Sequence, residues 1–328
     1  YAAALADLTN EEVLLLHLPD QTLRPVVRHT DDGVLEAQFP DGKWRPIRGA
    51  LRYVTQRPWN RIPPLTRTVV FNPVLVCLAG GRNKLLAAKA YDVQNGELLP
   101  TGLWIRFPET LVDVPKAQVP RLVSRMGGIA VVKVPYANAG QGVFTITNPH
   151  ELEAFMDEEH HYNRFIVQAL IGNTKWSSRS PYGQLYHVGT MPDRHGQIYV
   201  VDIRFMVGAG PDGFFPMAVY ARRARTPLTE TLTSGQHSWE MLGTNLSIKH
   251  DDQSWSTDTA RLLLMDSRDF NQLGLGLDDL IEAYVQTVLA STAIDRMATS
   301  LVTSKGKFRA KLFHSINPDS ALVKELCP

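Results

Sequence analysis

One stretch of this chain, VVKVPYANAGQGVFTI, constrains the fold more than any other. Two apolar, β-branched runs flank a tip that contains Gly140 and Gly142, and Lys133 closes the first run. This pattern predicts two strands joined by a glycine-rich turn. The turn is either an ordinary hairpin or a flexible flap over the phosphates of a nucleotide, since glycine lets backbone N–H groups approach an anion closely. The choice between the two depends on the neighbouring segments.

The segments that follow predict a mixed α+β fold. The run NPHELEAFMDEE predicts a helix capped by Asn148 with Pro149 at its first position, and NRFIVQALIG predicts a strand. Apolar runs farther along predict antiparallel strands with turns at PDRHGQ and GAGPDG, and GLDDLIEAYVQTVLASTAID has helical periodicity. Strands and helices that do not alternate as β–α–β units indicate the α+β class.

Two other segments are predicted to be strands. The run TVVFNPVLVCLAGG is apolar and ends in glycines, directly before RNKLLAAKAYDVQ, which has the composition of a helix. Near the C-terminus, GKFRAKLFHSINPDSALV predicts a strand that runs into a turn, which a short helix could follow.

The composition argues against several classes of function. The chain has 34 basic and 33 acidic residues, so a net charge of +1 gives no sign of a nucleic-acid partner. No apolar run is long enough to span a bilayer. Cys77 and Cys327 have no metal-binding spacing, which fits a reducing, cytoplasmic compartment. GAGPDG has the letters of a dinucleotide-binding motif but leads into a strand-like run, and no GxxxxGK[ST] motif occurs.

Several segments, in this order, resemble the ATP-grasp superfamily over residues 72–323. They are RNKLLAAKAYDVQ with Lys84 at its start, the PET element at Pro108, VVKVPYANAGQGVFTI, FIVQALIG, YVVDIRFMV with AVYARRAR, the helix that reaches Asp295, and FHSINPDSALV. The resemblance implies an ATP-grasp fold in three parts. An N-terminal pre-ATP-grasp domain would span 1–80, and an ATP-grasp region 81–170 would include a small lid subdomain at about 127–167. A C-terminal antiparallel-sheet domain would span 171–328.

The resemblance also implies an ATP site and the residues that form it. Lys84 and Lys133 would contact the phosphates, and the flap would approach them through Gly140 and Gly142. Three residues of the FIVQALIG strand would hold the adenine: Gln168, Ala169 and Leu170. The alternative interpretation of this strand is an ordinary core strand.

A Mg²⁺ site is implied by the same resemblance, with one departure from the family pattern. Asp295 and Asn317 match the first and last ligands, but Ser315 stands where the family has a glutamate. Because Mg²⁺ prefers carboxylate oxygens, the neutral serine would weaken the site unless Asp319 or water substitutes.

The function implied by the resemblance is that of an ATP-dependent ligase. A carboxylate would attack the γ-phosphate, and an amine, or a thiol, would then displace phosphate from the acyl phosphate. Arg204, Arg222 and Asn245 would act on the transferred phosphoryl group, although Arg204 and Arg222 could equally form a solvated basic edge next to Asp202. The expected partners are small carboxylates and amines such as amino acids or peptides, and a homodimer is left open. Three alternatives stay open: a nucleotide-binding protein without catalysis, a kinase on the same fold, and an interaction domain that binds no nucleotide.

Overall fold

The computed structural model describes residues 2–16, 26–52, 62–137, 140, 142–173, 175–181, 183–187, 189–232, 237–249, 254–320 and 322. The chain divides into two units, Tyr1–Val74 and Leu75–Pro328. The predicted boundaries at residues 80 and 170 and the lid limits of 127–167 stay predictions.

The described part of the first unit contains a helix and several short strands. Its elements are α1 (Ala2–Thr9), β1 (Val27–His29), β2 (Leu35–Gln38), β3 (Trp44–Pro46), β4 (Gly49–Leu51) and β5 (Val69–Phe71). Strands β1, β2 and β3 form an antiparallel sheet with β2 in the middle, and β4 pairs with β5 in parallel. Leu35 and Ala37 on β2 are buried, because residues two apart on a strand share one face.

The second unit contains a larger set of helices and strands. Its helices are α2 (Val74–Val76), which continues as a π-helical turn over Cys77–Gly81, α3 (Lys84–Leu98), α4 (Val119–Arg125), α5 (Pro149–Asp157), α6 (Ser238–Leu242), α7 (Ser267–Leu273), α8 (Leu277–Ser300) and α9 (Ala310–Ile316). Its strands are β6 (Thr110–Pro115), β7 (Ala130–Lys133), β8 (Val143–Ile146), β9 (Arg164–Gln168), β10 (Val201–Gly210), β11 (Gly213–Arg223), β12 (Ser247–Lys249), β13 (Trp255–Thr257) and β14 (Leu262–Leu263).

A four-stranded antiparallel sheet carries the glycine-rich stretch. Its strand order is β6–β9–β7–β8, so β7 lies between β9 and β8. Val132 and Val167, which face each other across β7 and β9, are both fully buried, and Phe155 of α5 is buried with Phe165 of β9. The glycine-rich tip is therefore joined to a rigid, well-packed sheet.

The C-terminal part is built around a long hairpin and a long helix. Strands β10 and β11 pair in an antiparallel ladder that turns between Gly210 and Gly213, and β14 adds a short third strand. Helix α8 packs against α3, with Ala293 of α8 buried beside Ala90 of α3. Among the helices in the described part of the chain, none has the length and apolar character that a membrane span requires.

The α+β class is confirmed, and so are several individual elements. Asn148 caps α5, its side chain accepting a hydrogen bond from the N–H of Glu151, with Pro149 at the first helical position. The glycine-rich stretch forms β7 and β8, GAGPDG forms the β10–β11 turn, and the periodic run forms α8.

Two predicted strands are wrong over most of their length. Residues 74–81, the second half of TVVFNPVLVCLAGG, form α2 and the π-helical turn, and only Val69–Phe71 near its start form a strand, β5. Residues 310–316 form α9. A short run that is apolar at every position fits a buried helix as well as a buried strand, because it has no period of two or 3.6 to separate them. In the second segment Phe313 is buried while Lys311 is exposed, which matches one turn of an amphipathic helix.

Candidate functional site

The ammonium groups of two lysines from different elements lie near one another beside the glycine-rich turn. Lys84 is the first residue of α3, directly after the cap residue Asn83, and Lys133 is the last residue of β7. Burial, followed by the charges of Lys133 and Arg82, lowers the pKa of Lys84 from 10.5 to about 8. Burial likewise lowers the pKa of Lys133 to about 8. Cations that are both desolvated and close to one another favour the binding of an anion between them.

Lys84 is held by the backbone that leads into the turn. Its N–H donates to Pro135 O at 3.0 Å. Its Nζ donates to Ala137 O at 2.5 Å and to Val134 O at 3.3 Å. We call the glycine-rich turn between β7 and β8 the flap. The ammonium group of Lys84 therefore lies where the flap leaves β7, and it contacts carbonyl oxygens that a phosphate oxygen could replace.

Lys133 is part of a polar chain that crosses three strands. On β7 and β9, Val131 lies opposite Gln168, so Lys133 and Gln168 are diagonal neighbours on one face. Lys133 Nζ donates to Gln168 Oε1 at 2.5 Å, and Gln168 Nε2 donates to Thr110 Oγ1 at 2.7 Å. Thr110 in turn donates to Pro108 O at 2.7 Å. Gln168, which the sequence placed in the predicted site, and the PET element thus position Lys133.

The turn requires its glycines. Gly140 has φ +78° and Gly142 has φ +62°, and both values lie in the left-handed region that residues other than glycine rarely adopt. A Cβ at Gly142 would lie 2.8 Å from Val134 Cβ, and the Gly142 carbonyl accepts a bond from the Val134 N–H at 2.7 Å. Gly142 therefore allows the turn to close tightly on the end of β7.

Three of the four backbone N–H and C=O groups of Ala169 and Leu170, two of the residues predicted to hold adenine, form hydrogen bonds within the chain. The Ala169 N–H donates to Glu109 O at 2.8 Å, and the Leu170 N–H donates to Ser178 Oγ at 2.6 Å. The Leu170 carbonyl accepts from the Ser178 N–H at 3.0 Å. Adenine binding at Ala169 and Leu170 stays a prediction, and it requires at least one of these partners to move.

An arginine pair shares one carboxylate on the β10–β11 hairpin. Asp202 lies opposite Arg222 in the ladder and two residues from Arg204. Arg222 Nη2 donates to Asp202 Oδ2 at 2.8 Å, and Arg204 Nε donates to the same oxygen at 2.7 Å. Burial raises the pKa of Asp202, while Arg204 and a hydrogen bond from Thr244 act in the opposite direction. Arg223 lies over the ring of Tyr199, on the other side of the strand.

The flap and the arginine pair are connected through two consecutive residues. A Cβ at Gly140 would lie 3.0 Å from Trp239 Cζ2 and 3.3 Å from Asn245 Cβ, so the tip of the flap contacts this segment. The residue before Asn245 is Thr244, whose side chain hydrogen-bonds Asp202. The structure thus brings together two of the predicted site residues, Asn245 and Gly140. Asp202 is linked to them through Thr244, the neighbour of Asn245 in the chain.

The predicted magnesium ligands have different environments. Asp295 is exposed on α8, whereas Asn317 and Asp319 are buried. Asn317 Oδ1 accepts from Asn83 Nδ2 at 2.8 Å, and Asn317 Nδ2 donates to the Tyr136 hydroxyl at 2.9 Å. Within the residues that the structure describes, no three His, Cys, Asp or Glu side chains are grouped as a metal site requires.

Four residues around the site were not predicted from the sequence. Arg82 and Asn83 adjoin Lys84, and an asparagine before an apolar helical run is a readable cap signal. Tyr136 lies within VVKVPYANAGQGVFTI, but in the sequence it looks like an ordinary aromatic core residue. Thr244 has no sequence signal, because its role depends on Asp202, which is 42 residues away in the chain.

Comparison with solved structures finds distant matches. No family model matches the chain, and no curated protein matches it. The chain is similar to the RimK domain protein ATP-grasp from Sphaerobacter thermophilus, with 15% identity and a TM-score of 0.25 over 46% of this chain. The chain spans 63% of that protein's length. It is also similar to the D-alanine-D-alanine ligase from Coxiella burnetii, with 12% identity and a TM-score of 0.29 over 88% of this chain and 77% of the other.

An ATP-grasp protein is thus among the solved structures that this chain resembles. Overlaps of this size carry no argument about the site, whose chemistry follows from the contacts of the chain's own residues.

Proposed function

We propose that this chain has an ATP-grasp fold and is an ATP-dependent ligase that joins a carboxylate to an amine through an acyl phosphate. The observation that carries the proposal is the convergence of Lys84 and Lys133 under a glycine-rich turn. Neither ammonium group forms an ion pair with a described carboxylate. A polyphosphate bound between them would supply the missing negative charge, because an anion close to a desolvated cation stabilises the charged form.

The flap and the β10–β11 hairpin would have separate roles. Lys84 and Lys133 would bind phosphate oxygens, and the turn at Gly140 would cover them. The substrate carboxylate would attack the γ-phosphorus, the bond from that phosphorus to the β–γ bridging oxygen would break, and ADP would leave. The amine would then displace phosphate from the acyl phosphate, which yields the amide. No covalent protein nucleophile is required.

Arg204 and Arg222 would stabilise the negative charge that builds on the transferred phosphoryl oxygens. A guanidinium suits this task because it is planar and always charged. Both arginines donate to Asp202, which would hold them in place instead of acting as a base. The contact of Gly140 with Asn245 supports the proposal that closure of the flap reaches this group.

Metal chemistry is not assigned a step in this proposal. Asn317 has both ends of its amide in hydrogen bonds, and Ser315 Oγ donates to Leu312 O at 2.7 Å. Coordination by Asp295, Asn317 and Asp319 stays a prediction.

Calorimetric titration with ATP tests the nucleotide site. Each charge-assisted contact is worth about 1.5–3 kcal/mol, so we expect Lys133→Ala and Lys84→Ala to weaken ATP binding by about tenfold or more. Lys305→Ala, which changes an exposed lysine, should leave the affinity unchanged. Repeated turnover of ATP to ADP should then require both a carboxylate and an amine, with single amino acids as the first candidates. Unchanged ATP affinity in both site variants would overturn the proposal.

A nucleotide-binding protein without catalysis is the second candidate. The observation that favours it is that Asn317 forms hydrogen bonds to buried side chains and Ser315 donates a hydrogen bond within its own helix. This candidate predicts tight ATP binding without ADP release over all carboxylate and amine pairs. ADP release that depends on both substrates would exclude it.

A further inference from the structure

A buried polar bridge connects three segments that are far apart in the sequence. Asn83, Asn317 and Tyr136 are fully buried. Asn83 Nδ2 donates to Asn317 Oδ1 at 2.8 Å, and Asn317 Nδ2 donates to the Tyr136 hydroxyl at 2.9 Å. Asn83 and Asn317 are 234 positions apart in the chain, and Asn317 and Tyr136 are 181 apart. A buried amide that uses both ends fixes its partners firmly, because loss of either bond leaves a desolvated polar group.

The two ends of this bridge flank Lys84. Asn83 is the cap of α3, and its Oδ1 accepts from the Leu86 N–H at 3.2 Å. Tyr136 lies between Pro135, whose carbonyl accepts the Lys84 N–H, and Ala137, whose carbonyl accepts the Lys84 ammonium. The bridge and these backbone bonds form a closed ring, in which the start of α3 and the base of the flap are held together through α9.

We propose that Tyr136 and Asn317 are positioning residues that set the place of Lys84 relative to Lys133. This inference rests on the proposed function, in which the two ammonium groups bind a polyphosphate. Lys133 ends β7 three residues before Tyr136, so any shift of Tyr136 changes the separation of the two lysines. Asn317 thereby acts on phosphate binding from the protein interior.

A metal ligand at Asn317 would have different consequences. Removal of a ligand would weaken ATP binding only in the presence of Mg²⁺, and Tyr136→Phe would have little effect. Removal of a positioning residue weakens the binding of a metal-free polyphosphate, and Tyr136→Phe has the same effect as a change at Asn317.

The first experiment is a titration with inorganic tripolyphosphate in the presence of a chelator. Tyr136→Phe keeps the ring but removes the hydroxyl, and we expect it to weaken tripolyphosphate binding by about tenfold. Asn317→Ala removes this bond and the bond to Asn83, so it should weaken binding at least as much, and the double variant should lose no more than Asn317→Ala alone. Tyr91→Phe is the control: Tyr91 is partly buried and contacts Phe107, but it lies outside the bridge.

The second experiment needs no ligand. Acylation of each lysine is measured against pH by mass spectrometry. In the wild type, Lys84 should become reactive near pH 8, as its lowered pKa implies. In Tyr136→Phe the flap base loosens, water reaches Lys84, and the midpoint should move towards 10.5. A merely structural loss elsewhere in the chain, as in Tyr91→Phe, leaves this midpoint in place.

The outcomes separate the inference from the proposed function. An unchanged tripolyphosphate affinity together with an unchanged Lys84 midpoint in Tyr136→Phe overturns the inference. A Mg²⁺-dependent effect confined to Asn317→Ala also overturns it, in favour of a metal ligand. A wild-type protein that binds neither tripolyphosphate nor ATP refutes the proposed function, and the acylation midpoint then decides the positioning role alone. Should Asn317→Ala fail to fold, the isosteric Tyr136→Phe still decides it.

Discussion

Replacement of Lys133 by methionine should stabilise the unliganded protein at neutral pH. Lys133 is partly buried, and its pKa is lowered from 10.5 to about 8 because burial disfavours the charged form. Methionine has a similar length and no charge to desolvate. A residue that costs stability in the free protein is expected where the side chain is reserved for a ligand.

The size of the effect follows from two opposing terms. A lysine pKa lowered from 10.5 to about 8 costs the folded state about 3 kcal/mol at neutral pH, relative to an unshifted lysine. Methionine leaves Gln168 Oε1 without the donor at 2.5 Å, which costs about 1–2 kcal/mol. We therefore expect Lys133→Met to raise the free energy of unfolding by about 1–2 kcal/mol near neutral pH.

The sign of this effect depends on pH. The folded pKa is the lower one, so between pH 8 and 10.5 the unfolded state binds more protons and wild-type stability rises with pH. The cost of the lysine is fully present below pH 8 and is absent above pH 10.5. Above that window only the lost Gln168 contact remains, and the variant should be less stable than the wild type by about 1 kcal/mol.

Urea unfolding at a series of pH values tests this reasoning. The difference in the free energy of unfolding between Lys133→Met and the wild type should be positive near neutral pH and should change sign on the alkaline side. Lys305→Met, at an exposed position, serves as the control and should show no such reversal. A difference that does not vary with pH, or a variant that is already less stable at neutral pH, would refute the argument.

Two further predictions concern the flap and the arginine pair. Gly142→Ala should destabilise the protein by more than the roughly 1–2 kcal/mol of a left-handed residue, because its Cβ also overlaps Val134; Gly128→Ala, with φ +83° and open space around it, should show the conformational cost alone in urea unfolding. Arg204→Lys keeps the charge but loses the planar fork, so steady-state kinetics should show turnover lowered about tenfold with ATP affinity nearly unchanged. Equal stability of the two glycine variants, or wild-type turnover in Arg204→Lys, would contradict these assignments.

Local patterns in the sequence were sufficient for the elements that have strong signals of their own. The cap residue Asn148 and Pro149 predicted α5, and apolar residues at helical spacing predicted α8. Apolar runs on either side of glycine-containing turns predicted β7, β8 and the β10–β11 hairpin. The two segments at 74–81 and 310–316 lacked such a signal, and there the packing of apolar residues in the folded chain decided for helix.

The contacts within the site depend on tertiary structure. The sequence identified Lys84, Lys133, Gly140 and Gly142 as residues of the right chemical type. It could not show that Gln168 Oε1 would be a partner of Lys133, because that contact depends on the register of β7 against β9. It also could not show that Asn317 would bond to Asn83, since only the packing of α9 near the start of α3 brings together residues 234 positions apart. Residue type and local period are properties of the sequence, whereas the distance between two side chains is fixed by all the elements packed between them.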